Sequence, residues 1–172
     1  ESLRRETDLP STVSQILSRY VSSPKDANEY LDPKLKKLLP DPFILKGMKE
    51  AVGVTVRALD SKQKIVIFGD YDVDGTTSVA LFYLFLKEIY FDIDYYIPDR
   101  EKEGYGLSQQ AIDLAITENV EILITIDCGI QSVDLVSQAV KHNIEVIWIN
   151  AEKLEQDDQK TWKALKKADG MV

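Results

Sequence analysis

The chain has 172 residues, 44% of them hydrophobic and 29% charged, with a formal net charge of -8. That length and apolar content suffice for one well-buried domain with a small accessory lobe, and they exclude a disordered chain. No run approaches the roughly 18–20 apolar residues of a membrane span, ESLRRETDLP lacks a secretory pattern, and the single cysteine, Cys128, excludes an internal disulfide, so a cytoplasmic protein is expected.

Residues 10–60 read as helical: SQILSRYV, a short segment after Ser23-Pro24, and a longer stretch from Pro42 through Phe43, Leu45, Met48, Val52, Val56 and Leu59. Its apolar positions recur at three and four residues, and Asp41-Pro42 supplies an N-cap followed by proline in the first turn. From Lys64 the pattern changes to short apolar runs at 65–68 (IVIF), 94–97 (DYYI), 121–126 (EILITI) and 145–149 (EVIWI). Helix-length amphipathic segments near 76–90, 108–118 and 131–142 separate them. Continuous apolar strands alternating with helices predict an α/β fold, a mainly parallel sheet with helices on both faces, preceded by an N-terminal helical lobe over 1–60.

Net negative charge argues against gripping nucleic acid through bulk positive charge. The excess acid lies in residues 61–150, which carry 6 basic and 15 acidic groups. Within that segment, GDYDVDG at 69–75 places Asp70, Asp72 and Asp74 directly after the first strand, with Gly75 turning the chain into a helix opened by Thr76, Thr77 and Ser78. Ligands bind outside the carboxyl ends of strands in open parallel sheets. Carboxylates one residue apart on an extended segment can converge, and hard cations take oxygen ligands. The bland alternative is an acidic turn that caps the helix, although three carboxylates in five residues repel one another unless something positive sits among them. An EF-hand calcium loop shares the spelling but needs a bidentate Glu at its twelfth position, which is Leu81 here. DVDGT at 72–76 also resembles a dehalogenase-type phosphatase, with Asp72 as nucleophile and Asp74 as acid/base.

The second patch, YYIPDREKEGYGLS at 95–108, holds Arg100 and the turn Gly104-Tyr105-Gly106. Such a turn lets bare backbone approach a phosphate that a guanidinium binds bidentately; an ordinary strand-to-helix loop is the competing reading. The third patch ends the strand EILITI in Asp127, Cys128 and Gly129, bringing Asp127 toward the rim of Asp72 and Asp74. Cys128 reads as a small buried thiol, because no His or basic cluster lies near it.

GDYDVDGTTS, YYIPDREKEGYGLS and LITIDCGI, in this order and spacing, resemble consecutive segments of the RecJ-type nucleases of the DHH phosphoesterase family, and YLDPKLKKLLPDPFILKGMKEAV is similar to the same proteins. The resemblance implies a partial DHH-type α/β phosphoesterase domain over 61–172. It also implies a metal-dependent 5′ to 3′ exonuclease acting on single-stranded DNA in repair and recombination, using two Mn or Mg ions. Asp72, Asp74 and Asp127 would be the metal ligands and catalytic carboxylates, with Asp70 as acidic support, and Arg100 with Gly104, Tyr105 and Gly106 would hold the substrate's 5′ phosphate. A single-strand-binding protein or a helicase would be a partner.

The chain departs from the pattern where the family's Asp-His-His triplet is expected, since EVIWI runs into Asn150-Ala151-Glu152. The only histidine, His142, reads as a solvated residue at a helix C-terminus. Glu152 offers a carboxylate without a spacing that requires coordination. Residues 153–167 carry no assigned role, Asp157-Asp158 included, and LKKADGMV is similar to the family's next segment, so the chain is expected to stop within the domain. A non-catalytic, RecJ-like replication scaffold is therefore the rival from a different functional class.

Overall fold

The computed structural model of the chain describes residues 9–90, 92–129 and 132–149. Asn150-Ala151-Glu152, Asp157-Asp158 and the C-terminal tail lie outside them. Two compact units divide between Leu45 and Lys46. The first holds α1 (Ser11–Leu17), α2 (Pro24–Leu31), α3 (Leu35–Leu38) and a 3-10 turn at Pro42–Ile44. Ser23 caps α2 by accepting a hydrogen bond from the Asp26 amide, with Pro24 in the first turn.

The second unit opens with α4 (Met48–Asp60). The expected long helix from Pro42 is therefore interrupted: Asp41 caps only the 3-10 turn, Leu45 is extended, and Gly47 takes a left-handed φ of 81° before α4 begins. Glycine reaches that conformation without a Cβ clash. Val54 and Ala58 of α4 are buried in one layer of the sheet's core, so this helix belongs to the α/β unit.

Four parallel strands follow, β1 (Ile65–Gly69), β2 (Ile93–Tyr96), β3 (Ile122–Ile126) and β4 (Glu145–Ile149), in the order β2-β1-β3-β4. They alternate with α5 (Val73–Ile89), α6 (Gln109–Thr117) and α7 (Val133–Lys141). Strand periodicity explains why the central strands β1 and β3 are buried at every position. Ile65, Ile67, Ile122, Ile124, Ile126 and Ile147 pack with Val54 and Ala58 of α4 and with Val79 and Leu86 of α5. Val66, Phe68, Leu123 and Val146 pack on the other side with Ala111, Ile112 and Ala115 of α6 and Val136 and Ala139 of α7. Burying each large aliphatic or aromatic side chain of these layers contributes about 1.5–3 kcal/mol.

The strand order reverses at β1: α5 leads to β2 on one side of it, and α6 crosses to β3 on the other. A crevice opens at such a switch point beyond the carboxyl ends of the two diverging strands. Those ends are Gly69 of β1 and Ile126 of β3, partners in the ladder. The opposite end of the sheet is tied by charge pairs, Arg57 to both carboxylate oxygens of Glu145 and Lys64 to Glu118. Among the described residues, no helix is long and apolar enough to cross a membrane.

Candidate metal centre at the sheet switch point

Asp70 immediately follows β1 and is fully buried. Its Oδ1 accepts a hydrogen bond from the Tyr71 amide at 2.8 Å, while Oδ2 has no hydrogen-bond partner. Burial raises its carboxyl above the usual carboxylate range; the Tyr71 amide acts against this, Asp72 adds to it, and the Gly106 amide acts against it. Gly106 thus places the second loop beside the first, without satisfying Oδ2.

Asp72 is the N-cap of α5, its Oδ1 accepting from the Gly75 amide at 2.8 Å. The helix therefore starts at Val73, three residues earlier than the Thr76 opening expected from sequence. Gly75 is not the turn itself but part of the first helical turn. A Cβ there would overlap the Asp70 carbonyl oxygen and lie 2.7 Å from the Asp70 nitrogen, so its missing side chain lets α5 rest on the Asp70 peptide. The extended run of alternating carboxylates is thereby replaced by one buried Asp, one capping Asp and Asp74 in the exposed first turn of α5.

Asp127, just past β3, has a left-handed φ of 60° and donates its amide to the Ile149 carbonyl at 2.9 Å. Asp is among the few non-glycine types that tolerate this conformation. Its neighbour Cys128 is buried, and burial together with the charges of Asp70, Asp127 and Asp72 pushes the thiol up to about 12. The same three carboxylates, after burial, raise the Tyr105 phenol. The β1–β3 register sets Asp70 and Asp127 side by side past the paired ends Gly69 and Ile126, and the charge of Asp72 also bears on Cys128 and Tyr105.

The second patch forms a stapled loop. Glu103 accepts from the Tyr96 hydroxyl and the Asp99 amide, each at 2.8 Å, and from the Ser108 hydroxyl. Ser108 in turn caps α6 by accepting from the Ala111 amide at 3.1 Å. Burial alone would raise Glu103, but the hydrogen bonds from Ser108, the Asp99 amide and Tyr96 hold it below the usual value. Gly104 and Gly106, with φ of 79° and 84°, carry the chain past the acidic rim, and Tyr105 between them is exposed and edge-on to Tyr71 at 6.3 Å. Arg100 lies over the Tyr71 ring, 5.4 Å from its centroid. Sequence reasoning missed Tyr71 and Glu103. The signal for Glu103 was its spacing from Ser108, whereas Tyr71 gave none beyond its place between two acids.

Carboxylate oxygens suit a hard cation, and a buried carboxylate with an unpartnered oxygen beside two further carboxylates is the arrangement a cation would stabilise. The chemistry of the donors fits Mn or Mg, although among the described residues no three His, Cys, Asp or Glu side chains converge into a complete ligand group. His142 is the exposed C-cap of α7, as expected of a solvated helix terminus.

A parallel sheet with an acidic switch point and a glycine-flanked loop beside it defines the class: residues 64–165 match the DHH family, N-terminal domain, and the chain belongs to that family. The matched region includes all three patches, the second and third of which have no counterpart in the dehalogenase reading. The chain is 38% identical over 84% of its length to the single-stranded-DNA-specific exonuclease RecJ of Haemophilus influenzae and 36% identical over 80% to that of Bacillus subtilis. It spans 26% and 17% of those two proteins. Among solved structures, it is similar to exonuclease RecJ bound to manganese, with a TM-score of 0.61, 31% identity and coverage of 69% of this chain and 30% of that one. RecJ from Thermus thermophilus in complex with Mn2+ aligns with a TM-score of 0.57, 29% identity and coverage of 75% and 17%.

Proposed function

We propose that this chain forms the N-terminal part of a metal-dependent 5′ to 3′ exonuclease that degrades single-stranded DNA in repair and recombination. The observation that carries the reading is the Asp70 carboxylate, buried with an unpartnered oxygen at the sheet's switch point and flanked by Asp72 and Asp127. Relatives with that named activity and manganese-bound RecJ structures support it. Asp72, Asp127 and Asp74 are assigned as metal ligands and catalytic carboxylates, with Asp70 as a further acidic support.

Two bound Mn or Mg ions would supply an activated water and stabilise the leaving oxygen of an in-line displacement. The protein's own contribution is placement. Asp70 fixes negative charge at the floor of the crevice, the α5 cap orients Asp72, and the left-handed turn at Asp127 brings a carboxylate in from β3. Arg100, with the backbone of Gly104, Tyr105 and Gly106, receives the terminal 5′ phosphate, a role suited to a guanidinium and bare peptide. The reading places the protein in the cytoplasm, with a single-strand-binding protein or a helicase as its partner.

Calorimetric titration with Mn should show binding that Asp72→Asn and Asp127→Asn weaken at least tenfold. Equal binding by wild type and both variants would remove the metal assignment.

A further inference from the structure

We propose that Tyr71 is a positioning residue that holds the Arg100 guanidinium at the acidic rim and so sets where a terminal phosphate is received. The inference rests on the nuclease reading of this rim and assigns a residue that the reading leaves without a role.

Arg100 sits in an acidic stretch, between Asp99 and Glu101 with Glu103 nearby, yet among the described residues it forms no ion pair. Its neighbours are engaged elsewhere. Asp99 pairs with Lys102 at 3.1 Å and accepts from the Glu101 amide, while Glu103 is taken by Tyr96, Ser108 and the Asp99 amide. The guanidinium instead lies over the Tyr71 ring at 5.4 Å. Stacking on an aromatic face restrains a long side chain while leaving its N–H donors free for an incoming anion.

Tyr71 is suited to this because it is anchored at both ends. Its amide donates to Asp70 Oδ1 at 2.8 Å, and its ring meets the edge of Tyr105 at 6.3 Å. One residue therefore ties the phosphate-receiving cation to the carboxylate at the crevice floor. The separation between the two determines which phosphoester lies over the acidic rim when a strand end is held.

The test compares a 5′-phosphorylated with a 5′-hydroxyl phosphorothioate oligonucleotide by fluorescence anisotropy in the presence of Mn. Wild type should prefer the 5′ phosphate. Tyr71→Leu should weaken binding of the phosphorylated strand by about two- to fivefold, the range of an exposed cation–π contact, and leave the hydroxyl strand unchanged; Tyr71→Phe should match wild type. Side-chain NMR signals of Arg100 should be ring-shifted in wild type and Tyr71→Phe and lose that shift in Tyr71→Leu, a readout independent of the ligand. Unchanged preference or unchanged Arg100 signals in Tyr71→Leu, or equal loss for both strands, would overturn the positioning role and leave the nuclease reading standing. If wild type shows no preference, or Arg100→Ala keeps it, the phosphate assignment of Arg100 fails and the positioning role with it.

Discussion

For Asp72 the sequence presents two roles as alternatives, and the proposed metal site would join them. The acidic capping turn and the metal-ligating loop were rival explanations of GDYDVDG, and the structure shows the cap directly, Asp72 Oδ1 on the Gly75 amide at 2.8 Å. The other carboxylate oxygen remains available to a cation. Substitutions should separate the roles. Asp72→Asn keeps a capping oxygen and should retain the melting temperature while losing most Mn affinity. Asp72→Ala should lose the affinity and also about 0.5–2 kcal/mol of stability, the usual range for a lost N-cap. Melting curves with Mn titrations decide it; equal stability of the two variants would deny the cap any weight. Sequence spacing placed three acids in one loop, but it could not show that Asp74 would fall inside the first turn of α5. That depends on a helix start set by Asp72 itself and by the contact of Gly75 with the Asp70 peptide.

At the scale of elements, the strands were the most legible part, because the central strands β1 and β3 are buried at every position and read as near-continuous apolar runs. The long helix expected from Pro42 was not legible, since the apolar spacing continues across Gly47 while the backbone does not. The loop between β2 and α6 yields its own expectation. Glu103 is held below its ordinary value of 4.5 in the folded protein, so it contributes stability that is fully present above about that pH and is lost as pH falls through the lower folded value. Glu103→Gln should therefore cost about 1–2 kcal/mol near neutrality, with the difference from wild type shrinking under acid. Thermal unfolding from pH 7 down to about pH 3 measures this. A difference independent of pH would mean that the loop is held by shape rather than by the charged hydrogen bonds of Glu103.

For the whole molecule, the boundary between units matters most. Sequence composition changes at Lys64, where the strands begin, which suggested a lobe ending near residue 60. Packing instead assigns α4 to the α/β unit through buried Val54 and Ala58 and through the pair from Arg57 to Glu145 on β4. A chain beginning at Lys46 should retain cooperative unfolding. One beginning at Ser61 should lose at least about 2–3 kcal/mol, mainly from uncovering the sheet face beneath α4. Denaturant melts of both chains would test the assignment, and equal midpoints would return α4 to the lobe. The rim at the switch point was legible as an acidic place from strand ends alone, whereas the pairing of β3 with β1 that sets Asp127 beside Asp70 is a long-range choice that no local pattern encodes.

The unpartnered Asp70 oxygen has a consequence for how such a protein would drift over generations. If cation chemistry were abandoned, Asp72 would still be retained as the helix cap, and the left-handed turn at Asp127 would still favour Asp, Asn or Gly. Asp70 would have no such refuge, because a buried carboxylate oxygen without a partner is a liability that an apolar side chain removes. Of the acids at this rim, its retention is therefore the one that most directly records continued selection for charge.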